Sequence, residues 1–362
     1  MKVGIVTYFD VPNYGAMLQA YAMQKYLKMR GHHVVFVNHT WFPEKILLKY
    51  FFRPQSFNSF RGKFTYNKSM VATFLPFQEH FEKTRRYESI ASIRDDPPDC
   101  DCFIVGSDQM WNVDICKRGK LPYVFLDIFG DKAMRIAYAV SFGRPIPAEL
   151  HGEVENYMRK FTAISVREKN AVEWVCNLSG KEAEWLCDPT LLYNVEDYDE
   201  LFPKSYADEK TPYIFEYMQG KRDITHDVGK YFGITKIMTE MRASDKWFDM
   251  LLGLQIKIGI GNWLRRIKHA SFIVTSSYHG ILFSIIYKKP FMLVPLTGHV
   301  TPWNDRFFSI LGFLGLDNRI YDESKSNSLA ELLDAPINWT DVHQRLANWR
   351  NKTDAYFKNL SL

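Results

Sequence analysis

The sequence predicts an α/β protein built from two Rossmann-like lobes. Its 362 residues are enough for two domains, since one domain takes about 100 to 200 residues. Short β-rich runs alternate with helical segments, which is typical of parallel sheets joined by crossover helices. The alternation stops after Asp188 and Pro189 and then begins again. Two αβ units in succession are therefore the simplest interpretation.

The first unit is expected to cover residues 1–193 and the second residues 194–338. Strands are predicted in the first unit at 3–8, 34–38, 102–105, 136–139 and 163–166, and in the second at 213–217, 235–239, 272–275 and 291–294. Between about residues 40 and 95 this rhythm is lost, and we interpret that part as a helical insertion or lid. Residues 339–362 are expected to form a helix that returns to the first lobe.

Composition and charge narrow the class of protein. The chain has 46% hydrophobic and 24% charged residues, which is typical of a packed globular protein. Its 15% aromatic residues could fill the core or line a ligand cleft. The net charge is +5, but the basic residues are spread along the chain. This pattern argues against nucleic-acid binding and suits an anionic substrate.

The cysteines, the acidic residues and the apolar runs argue against a disulfide or zinc scaffold, a metal site and a membrane span. The five cysteines form neither an even disulfide framework nor a pair of CxxC clamps for structural zinc. Asp99, Asp101, Asp108 and Asp114 are close in sequence, but nothing fixes them on one face, so no metal site is predicted. The N-terminal residues run directly into a strand pattern, and no apolar run reaches membrane-spanning length. A soluble cytoplasmic protein is expected.

The first candidate segment follows the first predicted strand and leads into a helix. Ligands of doubly wound sheets bind outside the carboxyl ends of the strands, so Asn13 and Tyr14 could meet sugar hydroxyls, and Gly15 would allow close backbone approach. Gln19 lies in the same segment and joins the candidate acceptor-binding residues. Helix capping by Asn13 with Tyr14 in the core is the alternative. The absence of GxGxxG argues against a dinucleotide cofactor.

The second candidate segment is a dense polar group after the strand at 102–105. Ser107, Asp108 and Gln109 supply more polar groups than a turn requires, and Trp111 could offer a stacking face. A helix cap with Trp111 in the core is the alternative.

The third candidate segment is a strand that runs into a serine-rich helix start. The hydroxyls of Ser276 and Ser277, with the free backbone N–H groups up to Gly280, would form a site for phosphate or carboxylate. His279 stands at this point and titrates near neutral pH, so it could donate a proton and take it back.

Two arginines are candidate partners of this anion site. Arg167 ends a predicted strand, and Arg306 precedes an apolar helix. Either guanidinium could hold a carboxylate or phosphate in bidentate fashion. The alternatives are salt bridges, of Arg167 to Glu168 or another nearby acid and of Arg306 to Asp305 or a neighbouring acid.

Six motifs in this order resemble the polysaccharide pyruvyl transferase family. They are NYGAMLQAYA at 13–22, VGSDQMWN at 105–112, YAVSFG at 138–143, ISVREKNA at 164–171, CDPTLL at 187–192 and VTSSYHG at 274–280. The resemblance implies a bacterial transferase with a GT-B-like pair of lobes, the first on the acceptor side and the second on the donor side. It also implies phosphoenolpyruvate as donor and co-substrate, with no further cofactor, and a pyruvate ketal on an exopolysaccharide or capsule sugar as product.

The resemblance also assigns roles to individual residues. His279 matches the general acid proposed for the family, and Arg167 matches an arginine thought to bind the anionic groups of the donor. Ser277 stands where better-studied members carry an arginine, and Arg306 or Lys288 are the candidates to replace it. If the acceptor is lipid-linked, peripheral contact with a membrane follows. A nucleotide-sugar glycosyltransferase and a non-catalytic glycan-binding protein are the alternative hypotheses.

Overall fold

The computed structural model describes residues 1–39, 69–116, 118–203, 209–218, 223–243, 255–324 and 328–362. Within these residues the fold is α/β, as predicted, with a six-stranded sheet in the N-terminal lobe and a four-stranded sheet in the C-terminal lobe. Residues 40–68, the first half of the expected insertion, lie outside the described residues.

The first lobe is built on a parallel sheet in the strand order β2-β1-β3-β4-β5-β6. The strands are β1 (Lys2–Val6), β2 (His33–Phe36), β3 (Cys102–Val105), β4 (Met134–Val140), β5 (Ala163–Val166) and β6 (Glu184–Trp185). The central strands are almost fully buried runs of apolar residues, which is typical of parallel strands covered by helices on both faces. All five strands predicted for this lobe are confirmed, and the two-residue edge strand β6 was not predicted.

The second lobe has a smaller parallel sheet in the order β12-β11-β7-β8. Its strands are β7 (Ile214–Tyr217), β8 (Ile237–Met238), β11 (Phe272–Thr275) and β12 (Phe291–Leu293), and an antiparallel pair, β9 (Met241–Ala243) and β10 (Gln255–Lys257), lies beside it in sequence. The four predicted strands are confirmed. Only two residues of the run at 235–239 pair with a neighbour, because β8 is an edge strand.

Helices cover both sheets. In the first lobe they are α1 (Tyr14–Met29), α2 (Leu75–Phe77), α3 (Ile90–Asp95), α4 (Leu121–Val124), α5 (His151–Met158) and α6 (Ala171–Ser179). They continue with α7 (Val195–Asp199), α8 (Asp223–Phe232), α9 (Ile260–His269), α10 (Tyr278–Ile286), α11 (Asp305–Leu314), α12 (Ser328–Asp334) and α13 (Trp339–Asn359).

The described part of the insertion is helical and then runs beside β2. A π-helical turn, Met70–Phe74, leads into α2. Isolated parallel bridges then join Phe36 to Lys83 and His39 to Tyr87. This segment therefore extends the edge of the first sheet without adding a regular strand.

The two lobes share a buried aromatic contact. Tyr14 at the start of α1 stacks on Trp263 of α9, with ring centres 5.0 Å apart and planes 8° from parallel. The Tyr14 hydroxyl donates to the carbonyl of Ile258 at 2.8 Å. The Lys257 ammonium donates to the carbonyl of Pro12 at 3.0 Å. One hydrophobic cluster consequently includes residues of both lobes.

The C-terminal helix α13 packs against the first lobe. Trp349 lies between Trp185 and Phe313, with ring centres 4.8 and 4.7 Å away, and its indole N–H donates to the Trp185 carbonyl at 3.2 Å. Farther along, the Tyr356 hydroxyl donates to the carbonyl of Ala137 in β4 at 3.1 Å. Helix α13 thus links the chain that follows the second lobe to the sheet of the first.

In the part of the chain that the structure describes, no helix has both the length and the apolar character needed to cross a membrane.

We expect Trp349→Ala to destabilise the protein strongly, because the substitution leaves a cavity between Trp185 and Phe313. Removing a buried tryptophan costs about 3–5 kcal/mol of unfolding free energy. Urea denaturation followed by circular dichroism measures this loss. Gln344→Ala, at an exposed position of the same helix, serves as control and should change stability by less than about 0.5 kcal/mol. Equal effects of the two substitutions would contradict the described packing of α13.

Candidate active site

The candidate site lies where the carboxyl ends of the first sheet meet the start of α10. The strand order of the first sheet changes direction between β1 and β3, and such a switch point opens a crevice for ligands. The loops that follow β3 and β5, together with the turn after β6, supply residues from this side. His279 enters from the second lobe.

Asp188 is the centre of the site. It is fully buried, and three side chains converge on its Oδ2 atom. The Ser107 hydroxyl donates to it at 3.0 Å, the Arg167 Nη1 atom donates at 3.1 Å, and the His279 Nε2 atom lies 3.5 Å away. The other oxygen accepts from the backbone N–H and the hydroxyl of Thr190, at 3.0 and 2.8 Å.

These contacts keep Asp188 ionised. Burial alone would raise its pKa, but the charges of His279 and Arg167 and the hydrogen bond from Thr190 hold the pKa well below its usual range. Asp188 is a site residue that was not predicted from the sequence. The one available signal was its place in the CDPTLL motif, which gives neither its burial nor its partners.

His279 is nearly buried at the first turn of α10, with 7% of its surface exposed. Ser277 caps this helix by accepting the N–H of Gly280 at 3.4 Å. Gly15 of α1 covers the other side of the ring, so closely that a methyl group on Gly15 would lie 2.0 Å from His279 Nδ1. The Nε2 atom makes no hydrogen bond, because 3.5 Å to Asp188 exceeds the roughly 3.2 Å limit for such bonds.

Two guanidinium groups flank the ring of Tyr278. The Arg167 carbon Cζ lies 4.4 Å from the ring centre and that of Arg306 lies 5.8 Å from it. Arg167 is fully buried and its pKa is raised, because the nearby Tyr278 and carboxylates outweigh burial. Burial and the positive charge of Arg167 lower the pKa of Arg306 to about 10. Among the described residues no carboxylate lies within salt-bridge distance of Arg306.

Several buried donors at this place have no partner. The Nε and Nη2 atoms of Arg167, Nε of Arg306, Nε2 of His279 and the hydroxyl of Tyr278 make no hydrogen bond. An unpartnered buried donor costs about 1–3 kcal/mol, and more if charged. A bound anion would supply these donors with acceptors. The arrangement therefore has the chemistry of an anion site next to a group that can transfer protons.

The loop after β3 contributes a second set of polar groups. The Asp108 side chain is partly exposed, and its Oδ1 atom lies 3.7 Å from Arg167 Nη2. Gln109 and Asn112 are buried, and their amide nitrogens make no hydrogen bond. Both amides lie against Gly143, where a methyl group would be 2.7 and 2.3 Å from them. These amides lie inside the loop packing, and Asp108 is the member that faces the crevice.

Six residues predicted to bind the acceptor are buried, namely Tyr14, Gly15, Gln19, Ser107, Gln109 and Trp111. Tyr14 stacks on Trp263 between the lobes. Trp111 has no exposed surface, donates its indole N–H to Val124 at 3.0 Å and stacks on Phe125. The structure therefore places the rings of Tyr14 and Trp111 in contact with the protein itself, which fits the core interpretation of both residues.

The amide of Gln19 instead fixes the loop after β3. Its nitrogen donates to the Thr7 hydroxyl at 2.8 Å and to the Ala16 carbonyl at 2.9 Å, and its oxygen accepts the N–H of Ser107 at 3.0 Å. Gln19 thus acts on the site through Ser107.

The remaining predicted residues lie at or near the starts of α1 and α10. Asn13 is exposed and caps α1, because its Oδ1 atom accepts the N–H of Ala16 at 3.2 Å. Ser276 is buried at the end of β11. Gly280 contacts Thr275, whose hydroxyl would be 2.3 Å from a methyl group there. Gly15 does approach another group closely, but that group is His279.

Comparison with known proteins finds a family whose profile matches this chain and solved structures with a similar fold. The sequence profile of the polysaccharide pyruvyl transferase family matches residues 13–296. No curated protein sequence is significantly similar to this chain.

Among solved structures, the fold is similar to a protein from Listeria monocytogenes named as a UDP-N-acetylglucosamine 2-epimerase. That protein is 10% identical, the match covers 99% of this chain and 95% of the other, and the TM-score is 0.51. A glycosyltransferase from Rickettsia africae is 11% identical, with coverage of 99% and 98% and a TM-score of 0.51. At such identities the likeness is one of fold alone, and it confirms the expected GT-B-like pair of lobes.

We expect Gly15→Ala to displace the ring of His279, because the added methyl group would overlap Nδ1. Overpacking of this kind costs about 1–3 kcal/mol of unfolding free energy, and a crystal structure of the variant should show the ring moved. Gly152→Ala is the matched control, since no heavy atom lies within 4 Å of that methyl position. The control should raise stability by about 0.4–1 kcal/mol. An unmoved ring in Gly15→Ala would contradict this contact.

Proposed function

The chain belongs to the polysaccharide pyruvyl transferase family, and on this basis we propose that it transfers a pyruvyl group from phosphoenolpyruvate to a sugar. The product is a pyruvate ketal on a precursor of a bacterial exopolysaccharide or capsule. The observation that carries this proposal is the group of unpartnered cationic donors on Arg167 and Arg306 beside the free Nε2 atom of His279.

The donor suits this arrangement by its charge. Phosphoenolpyruvate carries a carboxylate and a phosphate close together, and two guanidiniums can hold both groups. Arg167 keeps Nη2 and Nε for the ligand, while Nη1 is engaged by Asp188. Arg306 lies on the same aromatic ring as Arg167, so it can supply the positive charge that an arginine supplies at the position of Ser277 in other members.

His279 acts as the general acid in the proposed reaction. Proton transfer from Nε2 to the methylene carbon of phosphoenolpyruvate makes a methyl group and leaves an oxocarbenium ion at the neighbouring carbon. A sugar hydroxyl attacks that carbon and loses its proton. The bond to the phosphate oxygen then breaks and phosphate leaves. A second hydroxyl of the same sugar attacks and closes the ketal, and one released proton returns to His279 while the other leaves with phosphate.

The acceptor is assigned to the crevice at the first lobe. Asn13 is exposed beside α1, and Asp108 faces the crevice from the loop after β3. An amide and a carboxylate are suitable partners for sugar hydroxyls. A cytoplasmic sugar precursor, either soluble or linked to a lipid at the membrane surface, is the proposed acceptor class, and phosphoenolpyruvate is the one co-substrate required.

Phosphate release with candidate acceptors tests the proposal. We expect the purified protein to release phosphate from phosphoenolpyruvate when nitrophenyl glycosides or lipid-linked sugars are supplied. Binding of UDP or GDP in calorimetry without binding of phosphoenolpyruvate would replace the proposal with a nucleotide-sugar glycosyltransferase. If neither ligand binds but glycans do, the protein is a non-catalytic glycan-binding member.

His279→Ala should abolish turnover and leave the affinity for phosphoenolpyruvate nearly unchanged. A general acid acts in the transition state and contributes about 10²–10⁴-fold to the rate, whereas binding should remain within about tenfold. Phosphate release and calorimetry measure the two effects. His151→Ala, an exposed histidine of α5, is the control and should keep both values. A loss of binding in His279→Ala would make this residue a ligand group and remove the assigned acid.

Arg306→Gln should weaken the binding of phosphoenolpyruvate. The lost charge-assisted contact is worth about 1.5–3 kcal/mol, which corresponds to roughly 10- to 100-fold in the dissociation constant. Arg306 is preferred to Arg167 for this test, because removing Arg167 would also leave Asp188 without the guanidinium that donates to it at 3.1 Å. Arg159→Gln, at an exposed position directly after α5, is the control. Unchanged affinity in Arg306→Gln would exclude this arginine from the donor site.

A further inference from the structure

We propose that Asp188 is a positioning residue that holds His279 and Arg167 in the arrangement needed for proton transfer to a bound anion. The inference rests on the proposed function for its reaction, but the geometry concerns the ligand-free protein. The Asp188 carboxylate lies 3.1 Å from the Arg167 guanidinium of the first lobe and 3.5 Å from the His279 imidazole of the second.

The carboxylate itself is held rigidly. Its Oδ1 atom accepts two bonds from Thr190, one of them from the backbone, so the carboxylate is anchored to the turn that follows β6. Its Oδ2 atom then faces the three side chains of Ser107, Arg167 and His279. A side chain fixed at one oxygen can orient its partners through the other.

For Arg167 the contact sets which nitrogens are left for a ligand. Nη1 is bound to Asp188, while Nη2 and Nε are buried without partners. The ring of Tyr278 covers the guanidinium at 4.4 Å. The planar group therefore cannot turn without losing either the ion pair or the ring contact, and its free edge stays directed at one place.

For His279 the contact sets the orientation of the ring. Gly15 closes the Nδ1 side of the ring, so Nε2 is the atom that can exchange a proton with a ligand. The Asp188 carboxylate lies 3.5 Å from Nε2 and faces that edge of the ring. Nε2 makes no hydrogen bond, so the ring is oriented without this atom being engaged. The other groups facing the ring are Tyr278, in edge contact at 5.5 Å, and Arg167 beyond the carboxylate.

A purely structural role is the competing explanation. In that case Asp188 would do no more than neutralise the buried Arg167, and its removal would lower stability without a specific effect on proton transfer. The two explanations differ in the behaviour of the His279 ring, which a structural role would leave unchanged.

Asp188→Asn is the decisive variant, because it removes the charge and nearly keeps the shape. We expect kcat to fall by about 100-fold or more, with a smaller change in KM for phosphoenolpyruvate. We also expect the imidazole ring of His279 to change position in a crystal structure of the ligand-free variant, because the group facing Nε2 has lost its charge. Asp96→Asn, at a carboxylate that is 76% exposed, is the matched control. It removes a charge at the surface and should leave kcat and the ring position unchanged.

Two outcomes would overturn the inference. One is an unchanged kcat and an unmoved His279 ring in a folded Asp188→Asn protein. The other applies if that variant does not fold: Ser107→Ala then removes one hydrogen bond to Oδ2 and keeps the charge, and an unchanged kcat in this variant contradicts the positioning role. The crystal structure of the ligand-free variant needs no donor. A wild-type protein that is inactive with phosphoenolpyruvate, but whose His279 ring moves in Asp188→Asn, would refute the proposed reaction and retain the positioning role.

Discussion

The structure of the site depends on one electrostatic constraint, which is the burial of the Arg167 guanidinium against the carboxylate of Asp188. Asp188 pairs with Arg167 and lies near His279, and Asp108 lies 3.7 Å from the same guanidinium. Positive charge out of contact with water is costly unless it is matched by negative charge. The carboxylates therefore make it possible to bury Arg167 in the ligand-free protein. The nitrogens of Arg167 and Arg306 that make no hydrogen bond are the groups that the proposed anion would engage.

Contacts at and beside this site hold the two lobes close together. The ring of His279 belongs to the second lobe but lies against Gly15 of the first. The residue before Gly15, Tyr14, stacks on Trp263 and fixes the start of α1 relative to α9. The aromatic contact thus has a functional consequence, since a shift of the lobes by one or two ångströms would change the distance between His279 and Asp188.

Much of the fold could be predicted from the sequence, because strands that are buried on both faces appear as short apolar runs. Arg167 at a strand end and His279 at a helix start could also be selected, because local position gives their direction. Asp188 could not, since the side chains that meet at its Oδ2 atom come from Ser107, 81 residues earlier, from Arg167, 21 residues earlier, and from His279 of the other lobe. Tyr14 and Trp111 were selected from the sequence, but whether they lie in the core or in a ligand cleft could not be predicted. An aromatic ring with a polar atom suits a core and a cleft equally well, and only the packing of the lobes decides between them.

Because α13 returns to the first lobe, the packing of that lobe is completed only at the end of translation. During translation the residues of β1 to β6 leave the ribosome long before those of α13, and N-terminal domains generally begin to fold while synthesis continues. The face of β4 that contacts Tyr356, and the indole of Trp185 that packs on Trp349, stay uncovered until the second lobe has also emerged. A nascent chain of this protein would therefore expose an apolar surface for most of its synthesis, a state in which chaperones commonly bind.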